Sequence, residues 1–141
     1  NDTKLVDWAG DRLAFIKGMH PLVMIFLICA AVVAFTEFMS NTALTMLMVP
    51  VLAVTATSVL EVHPLFVLVP AVMSASLGFM MPAGTPPNAL VFGTGYVTIP
   101  QMMRTGFILN VIAVFLVTLL AYFVILPVFH IDFAQIPEWA R

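Results

Sequence analysis

Pro82-Ala83-Gly84-Thr85-Pro86-Pro87-Asn88-Ala89-Leu90-Val91-Phe92-Gly93-Thr94-Gly95 interrupts an otherwise apolar chain. An apolar run, residues 65–81, leads into it. Residues 88–92 continue beyond it for only ~10 Å of helix, too little to cross a ~30 Å hydrocarbon core. Residues 64–95 therefore read as one crossing made of two half-helices. A backbone group freed in lipid costs several kcal/mol unless something satisfies it, and broken helices in transporters satisfy it with ions and anionic solutes. Pro86 and Pro87 carry no N–H, so the carbonyls of Pro82, Ala83 and Gly84 are expected to lose helical donors and face a cation. Thr85 offers a hydroxyl, Asn88 an amide, and Gly84 lets the backbone approach closely.

A second interruption lies upstream, Thr36-Glu37-Phe38-Met39-Ser40-Asn41-Thr42. It separates two apolar arms of about 18 residues, each ~27 Å as helix. That length fits two full spans or a re-entrant hairpin. The short connection, with Phe38 and Met39 in it and no Gly, Pro or charge run, favours the hairpin. Ser40 or Asn41 can cap the second arm, whose free N–H groups carry partial positive charge and suit an oxyanion. The first arm ends in free carbonyls. Together with the Thr36 hydroxyl and the Asn41 amide oxygen they suit a small hard cation. Glu37 is an acid in apolar sequence and must be paired, protonated or near water. Pairing with another part of the protein and a direct ligand role both stay open.

The composition agrees with a membrane protein. Of 141 residues, 62% are hydrophobic and 9% charged, with mean hydropathy +1.12; a soluble domain is about a quarter charged. A net charge of −2 gives no reason to expect nucleic acid. The single cysteine, Cys29, excludes an internal disulfide. No Asp pair, Ser–His pair or metal cluster falls within the spans, so an enzyme is not expected. His20, His63 and His130 flank apolar runs and read as interface residues, and the methionines as packing. The first residues show no signal peptide, and the chain reads as a fragment or as one half of something larger.

The expected fold is an all-α membrane protein. Residues 1–18 form an interfacial helix or linker, with Leu5, Trp8, Leu13 and Ile16 on the apolar face of residues 3–17. Residues 19–141 form a transmembrane repeat: a hairpin over 20–61, a broken helix over 64–95, a final helix over 100–129 and a tail over 130–141. His20-Pro21-Leu22 and His63-Pro64-Leu65 both have the chemistry of helix starts. Residues 105–129 read as the plainest span, and Trp139 as an interface anchor.

The sequence resembles the divalent anion/sodium symporter family. The matching motifs are Ser40-Asn41-Thr42 and Thr85-Pro86-Pro87-Asn88 followed by Val91-Phe92-Gly93, led by Ser76-Leu77-Gly78-Phe79-Met80-Met81-Pro82. The order of elements resembles the family's C-terminal inverted repeat. The resemblance implies two such repeats around one substrate site, a homodimer, and an elevator-like movement. It implies that Ser40, Asn41, Thr42, Thr85, Pro86 and Pro87 touch a small dianion: dicarboxylate, citrate or sulfate. It implies that Thr36, Asn41 and backbone carbonyls near Met39 and Gly84 bind Na+. This chain has one Ser-Asn-Thr, so half of such a site is absent from it.

The functional expectation is the C-terminal half of a secondary active transporter coupling sodium to uptake of a dianion, a C4-dicarboxylate first. It would sit in a bilayer, the bacterial inner membrane, beside the N-terminal repeat. Neither motif supplies Lys or Arg, so helix ends and bound sodium must balance the anion's charge. Two rivals remain: a proton-coupled or exchange transporter using Glu37, and a non-transporting membrane subunit. Orientation is contradictory, since the Lys/Arg bias puts the termini inside and the family resemblance puts the hairpin and C-terminus outside.

Overall fold

The computed structural model describes residues 19–131 and residue 137. The interfacial helix expected over residues 3–17 and most of the tail, with Trp139, lie outside the described residues. Helix α1 spans Pro21–Thr36, α2 Asn41–Ser58, α3 Pro64–Ser74, α4 Pro86–Gly93 and α5 Ile99–Leu120. The last continues through a wide π-helical turn, Ala121–Ile125, into the short α6, Leu126–Val128. The described residues contain no strand.

Both His-Pro pairs start helices in the same way. Proline occupies the first helical position, where its missing N–H costs nothing. The preceding imidazole Nδ1 accepts a free N–H of the first turn: Leu22 N on His20 at 3.3 Å and Leu65 N on His63 at 3.2 Å. The second arm is capped by Ser40, whose Oγ accepts the Ala43 N–H at 3.2 Å.

Packing centres on α1 and α3. α3 lies along both α1 and α2, while the two arms of the hairpin touch each other little; α5 packs on the other side of α1 and also meets α3. α1 buries Met24, Ile25, Ile28, Cys29, Val32, Val33 and Thr36, which recur with helical period. Phe66, Val67 and Ala71 of α3, Leu52 and Ala56 of α2, Val114 and Val117 of α5 and Ala121 of the π-helical turn belong to the same core. The opposite face of α5 exposes Phe107, Ile108, Ile112, Phe115 and Leu119, and the π-helical turn exposes Phe123. Such a face belongs against lipid or further protein, not water.

Two helices, Asn41–Ser58 and Ile99–Val128, have the length and apolar character to cross a membrane, with mean hydropathies of 1.4 and 2.8. α1 and α3 are shorter. α3 differs from the sequence reading: it stops at Ser74, although residues 75–81 are mostly apolar and contain no proline. The backbone is irregular from Ala75 to Thr85, and α4 then runs for eight residues without burying any of them.

Candidate functional site

Glu37 explains why α3 stops. In a continuing helix, the N–H groups of Phe79, Met80 and Met81 would bond to carbonyls four residues back. They turn instead to the Glu37 carboxylate. Phe79 N lies 2.9 Å from Oε1, Met80 N 3.0 Å from both oxygens, and Met81 N 2.9 Å from Oε2. Asn110 of α5 adds a side-chain donor, Nδ2 to Oε1 at 2.6 Å, and accepts Phe79 N on its own Oδ1 at 3.3 Å. Glu37 is 3% exposed. Every bond to Glu37 uses a carboxylate oxygen as acceptor. A buried polar group is tolerated when it is hydrogen-bonded in this way.

The bonds have a second consequence. Ala75 O would have accepted Phe79 N in a continuous helix; with that donor diverted, it faces the hairpin instead. Thr36 Oγ1 donates to it at 2.6 Å and also stands 2.9 Å from Asn41 Oδ1. Three oxygens from α1, α2 and the end of α3 thus converge, sharing one hydroxyl proton. The expected cause of the break was the Pro86-Pro87 pair, with free carbonyls at residues 82–84. The structure puts both prolines at the first two positions of α4, and the carbonyl freed toward Thr36 is that of Ala75, eleven residues before Pro86.

Two glycines lie against this junction, and at Gly78 the approach is tighter than a side chain normally allows. A Cβ on Gly78 would lie 3.2 Å from Thr36 Cγ2 and 3.4 Å from Thr36 O; one on Gly84 would lie 3.5 Å from Thr36 O and 3.6 Å from Glu37 Oε2. The C-terminal end of α1 is therefore wrapped by the irregular segment. Asn88, in the first turn of α4, ties that segment from its far side: Nδ2 donates to Gly78 O at 2.9 Å and to Met81 O at 3.1 Å.

The structure thus gathers Thr36, Asn41 and Gly84 in one place. Met39 is half-buried against the core. Ser40 caps α2, and Thr42 is exposed beside it. Asn41, Thr42, Thr45, Met46, Val72 and Ser76 line an open groove of about 280 Å³. Thr85, Pro86 and Pro87 form the start of α4, and no hydrogen bond joins them to Ser40, Asn41 or Thr42 among the described residues. With prolines at two of its first positions, α4 offers few free N–H groups to an anion. The α2 end, whose first turn contains no proline, offers more.

Sequence reading missed Asn110, which lies in the segment read as the plainest span. A signal was present: Gly106, Asn110 and Thr118 are small or polar residues on one face of an apolar helix, the pattern of a face turned toward protein. All three are buried.

Irregular backbone held by buried polar groups, in an all-helical membrane protein, is the architecture of solute transporters. The chain belongs to the sodium:sulfate symporter transmembrane region family, whose profile matches residues 1–129. It is 42% identical over 135 residues to the sodium-dependent dicarboxylate transporter SdcS of Staphylococcus saprophyticus, covering 96% of this chain and 26% of that protein. It is 40% identical over 137 residues to solute carrier family 13 member 2 of Rattus norvegicus, covering 97% and 23%. SdcS of Staphylococcus aureus strain USA300 is 38% identical over 135 residues. The chain spans about a quarter of the length of these relatives. The family is one of membrane transporters, not enzymes, and the chain is an integral membrane protein.

Proposed function

We propose that the chain forms the C-terminal half of a sodium-coupled secondary active transporter for a small dianion, a C4-dicarboxylate first. It would work by alternating access in a homodimer, beside an N-terminal repeat, in a bacterial inner membrane. In this reading α1 and α2 are a re-entrant hairpin, and α3 and α4 are the halves of one broken transmembrane helix. The relatives' dependence on sodium and use of dicarboxylates support the choice of ion and solute.

One observation carries the reading: the convergence of Thr36 Oγ1, Asn41 Oδ1 and Ala75 O, with Thr36 O and Gly84 packed alongside. Oxygen sets of this kind suit hard cations. Rotation of the Asn41 amide satisfies the Thr36–Asn41 pair with an N–H; a sodium ion satisfies it with the oxygens. Binding sodium would thus turn the Asn41 carbonyl inward and hold the first turn of α2 in place. The free N–H groups there would meet one carboxylate of the solute. The second repeat would supply the rest of the anion's partners.

Proton coupling through Glu37 is not favoured. The carboxylate is engaged by three backbone N–H groups and an amide, so taking up a proton would break the bonds that shape the site.

The test is sodium-dependent uptake of succinate by the full-length transporter in proteoliposomes. Asn41→Ala, at equal incorporation, is expected to reduce uptake at least about tenfold at low sodium, on the scale of losing a charge-assisted contact. Unchanged uptake with unchanged sodium dependence would displace the cation from this junction.

A further inference from the structure

Neither of the motifs that mark the site includes α5, yet α5 packs directly against the backbone of the irregular segment. A Cβ placed on Gly106 would collide with the Phe79 carbonyl, lying 2.5 Å from its carbon and 2.7 Å from Met80 Cα. These are backbone atoms, so no side chain can swing aside to make room. Asn110, one helical turn later on the same face, bonds both to Glu37 and to Phe79 N. Both residues are buried. Residues 79–81 are thus pinned from two directions, by the carboxylate following α1 and by this face of α5.

We infer that Gly106 and Asn110 are positioning residues for sodium. They set the amides of residues 79–81 against Glu37, and Glu37 is covalently joined to Thr36. Any shift of that amide triplet moves Ala75 O relative to Thr36 Oγ1 and Asn41 Oδ1. A cation site depends on ligand positions to within about half an ångström. α5 therefore tunes sodium affinity without supplying a ligand. The inference rests on the reading of the Thr36–Asn41–Ala75 junction as the sodium site.

The hydrogen-bond inventory gives a test that separates positioning from general stability. The cluster holds one carboxylate, one side-chain amide and three backbone N–H groups. Among the described residues, the groups bonded to Glu37 are all amides: Asn110 from α5 and the N–H groups of residues 79–81. Asn110→Asp replaces the amide that donates to Glu37 Oε1 with a group that has no N–H to give, so the bond between α5 and Glu37 is lost and sodium affinity should fall. The exchange Glu37→Gln with Asn110→Asp restores the inventory. The glutamine oxygen accepts Met80 N and Met81 N, its NH2 donates to Asp, and Asp accepts Phe79 N.

The experiment uses the full-length transporter. Sodium half-saturation of succinate uptake is measured, with sodium alone as a thermal stabiliser for a readout independent of transport. Asn110→Asp is expected to raise half-saturation about tenfold. The exchanged pair should return to within about threefold of the parent. Gly106→Ala should weaken sodium in both readouts while leaving maximal uptake at saturating sodium within a few-fold. The inference is overturned if sodium half-saturation in Asn110→Asp matches the parent, or if the exchanged pair fares no better than the single variant. Should the single variants fail to fold, the exchanged pair alone decides. Thr36→Val and Asn41→Ala run in parallel: if these leave sodium dependence intact, it is the sodium reading of the junction that fails, whatever α5 does.

Discussion

The turn between α1 and α2 and the irregular segment between α3 and α4 both interrupt apolar helices, but they are held in different ways. The first is four residues, 37–40, and is shaped by neighbours: Ser40 caps α2 and Phe38 N bonds back to Phe35 O. The second is eleven residues, 75–85, and its frame comes from Glu37, Asn110 and Asn88, with Gly106 pressed against it. A local turn survives the loss of any one distant partner. A segment framed from afar fails when its frame is removed, even if its own sequence is untouched.

Glu37→Ala should separate the two most. It leaves the N–H groups of Met80 and Met81 and the Asn110 amide without their partner, and Phe79 N with only Asn110 Oδ1, at about 1–3 kcal/mol for each buried group. A loss of several kcal/mol is expected, read as a large fall in Tm of the full-length protein in detergent, together with loss of sodium-induced stabilisation. A small fall would mean that α3 simply extends through residues 75–81 and needs no carboxylate to stop it.

Ser40→Ala probes the local turn, and about 1 kcal/mol of stability should be lost, the usual worth of such a cap. Thermal melting of this variant should show an intact fold. A collapse as deep as that of Glu37→Ala would erase the contrast between the two regions.

The smallest effect on stability is expected from replacing Pro86 and Pro87 together with alanine. Proline at the start of a helix is well placed, and alanine there is tolerated. Because Glu37 ends α3, the double variant should keep the break, melt within a few degrees of the parent and retain sodium half-saturation within about threefold, an expectation that follows from the intact Glu37 clamp. If Tm instead rises while sodium binding disappears, the prolines hold the segment open and Glu37 only decorates it.

The two regions also differ in how much of them can be read from sequence. The His-Pro helix starts, the Ser40 cap and the apolar lengths follow from local chemistry, and so does the presence of two interruptions. The end of α3 does not. Residues 75–81 look helical by themselves, and what stops the helix is a side chain about forty positions earlier. Nor was the packed face of α1 legible: the helix is apolar on every side, so burial leaves no periodic trace. Asn110 was visible as a polar residue in a long apolar run, but its role depended on Glu37 lying opposite, and that is a property of the fold. Gly106 carried still less signal, since glycine is common in membrane helices; only the position of the Phe79 backbone shows why no larger residue fits.

The separation of Glu37 from its partners also orders events in time. A ribosome delivers α1 before α2, so the cap of α2 can form as soon as Ala43 has been made. The carboxylate that will end α3 is already present then, but the amides it needs follow some forty residues later, and Asn110 comes 73 residues after Glu37. During that interval residues 64–81 form an apolar stretch of about 18 residues, long enough to enter a bilayer as an ordinary span. The break is therefore completed only after its own segment has been made, when α5 arrives and the distant carboxylate claims its amides.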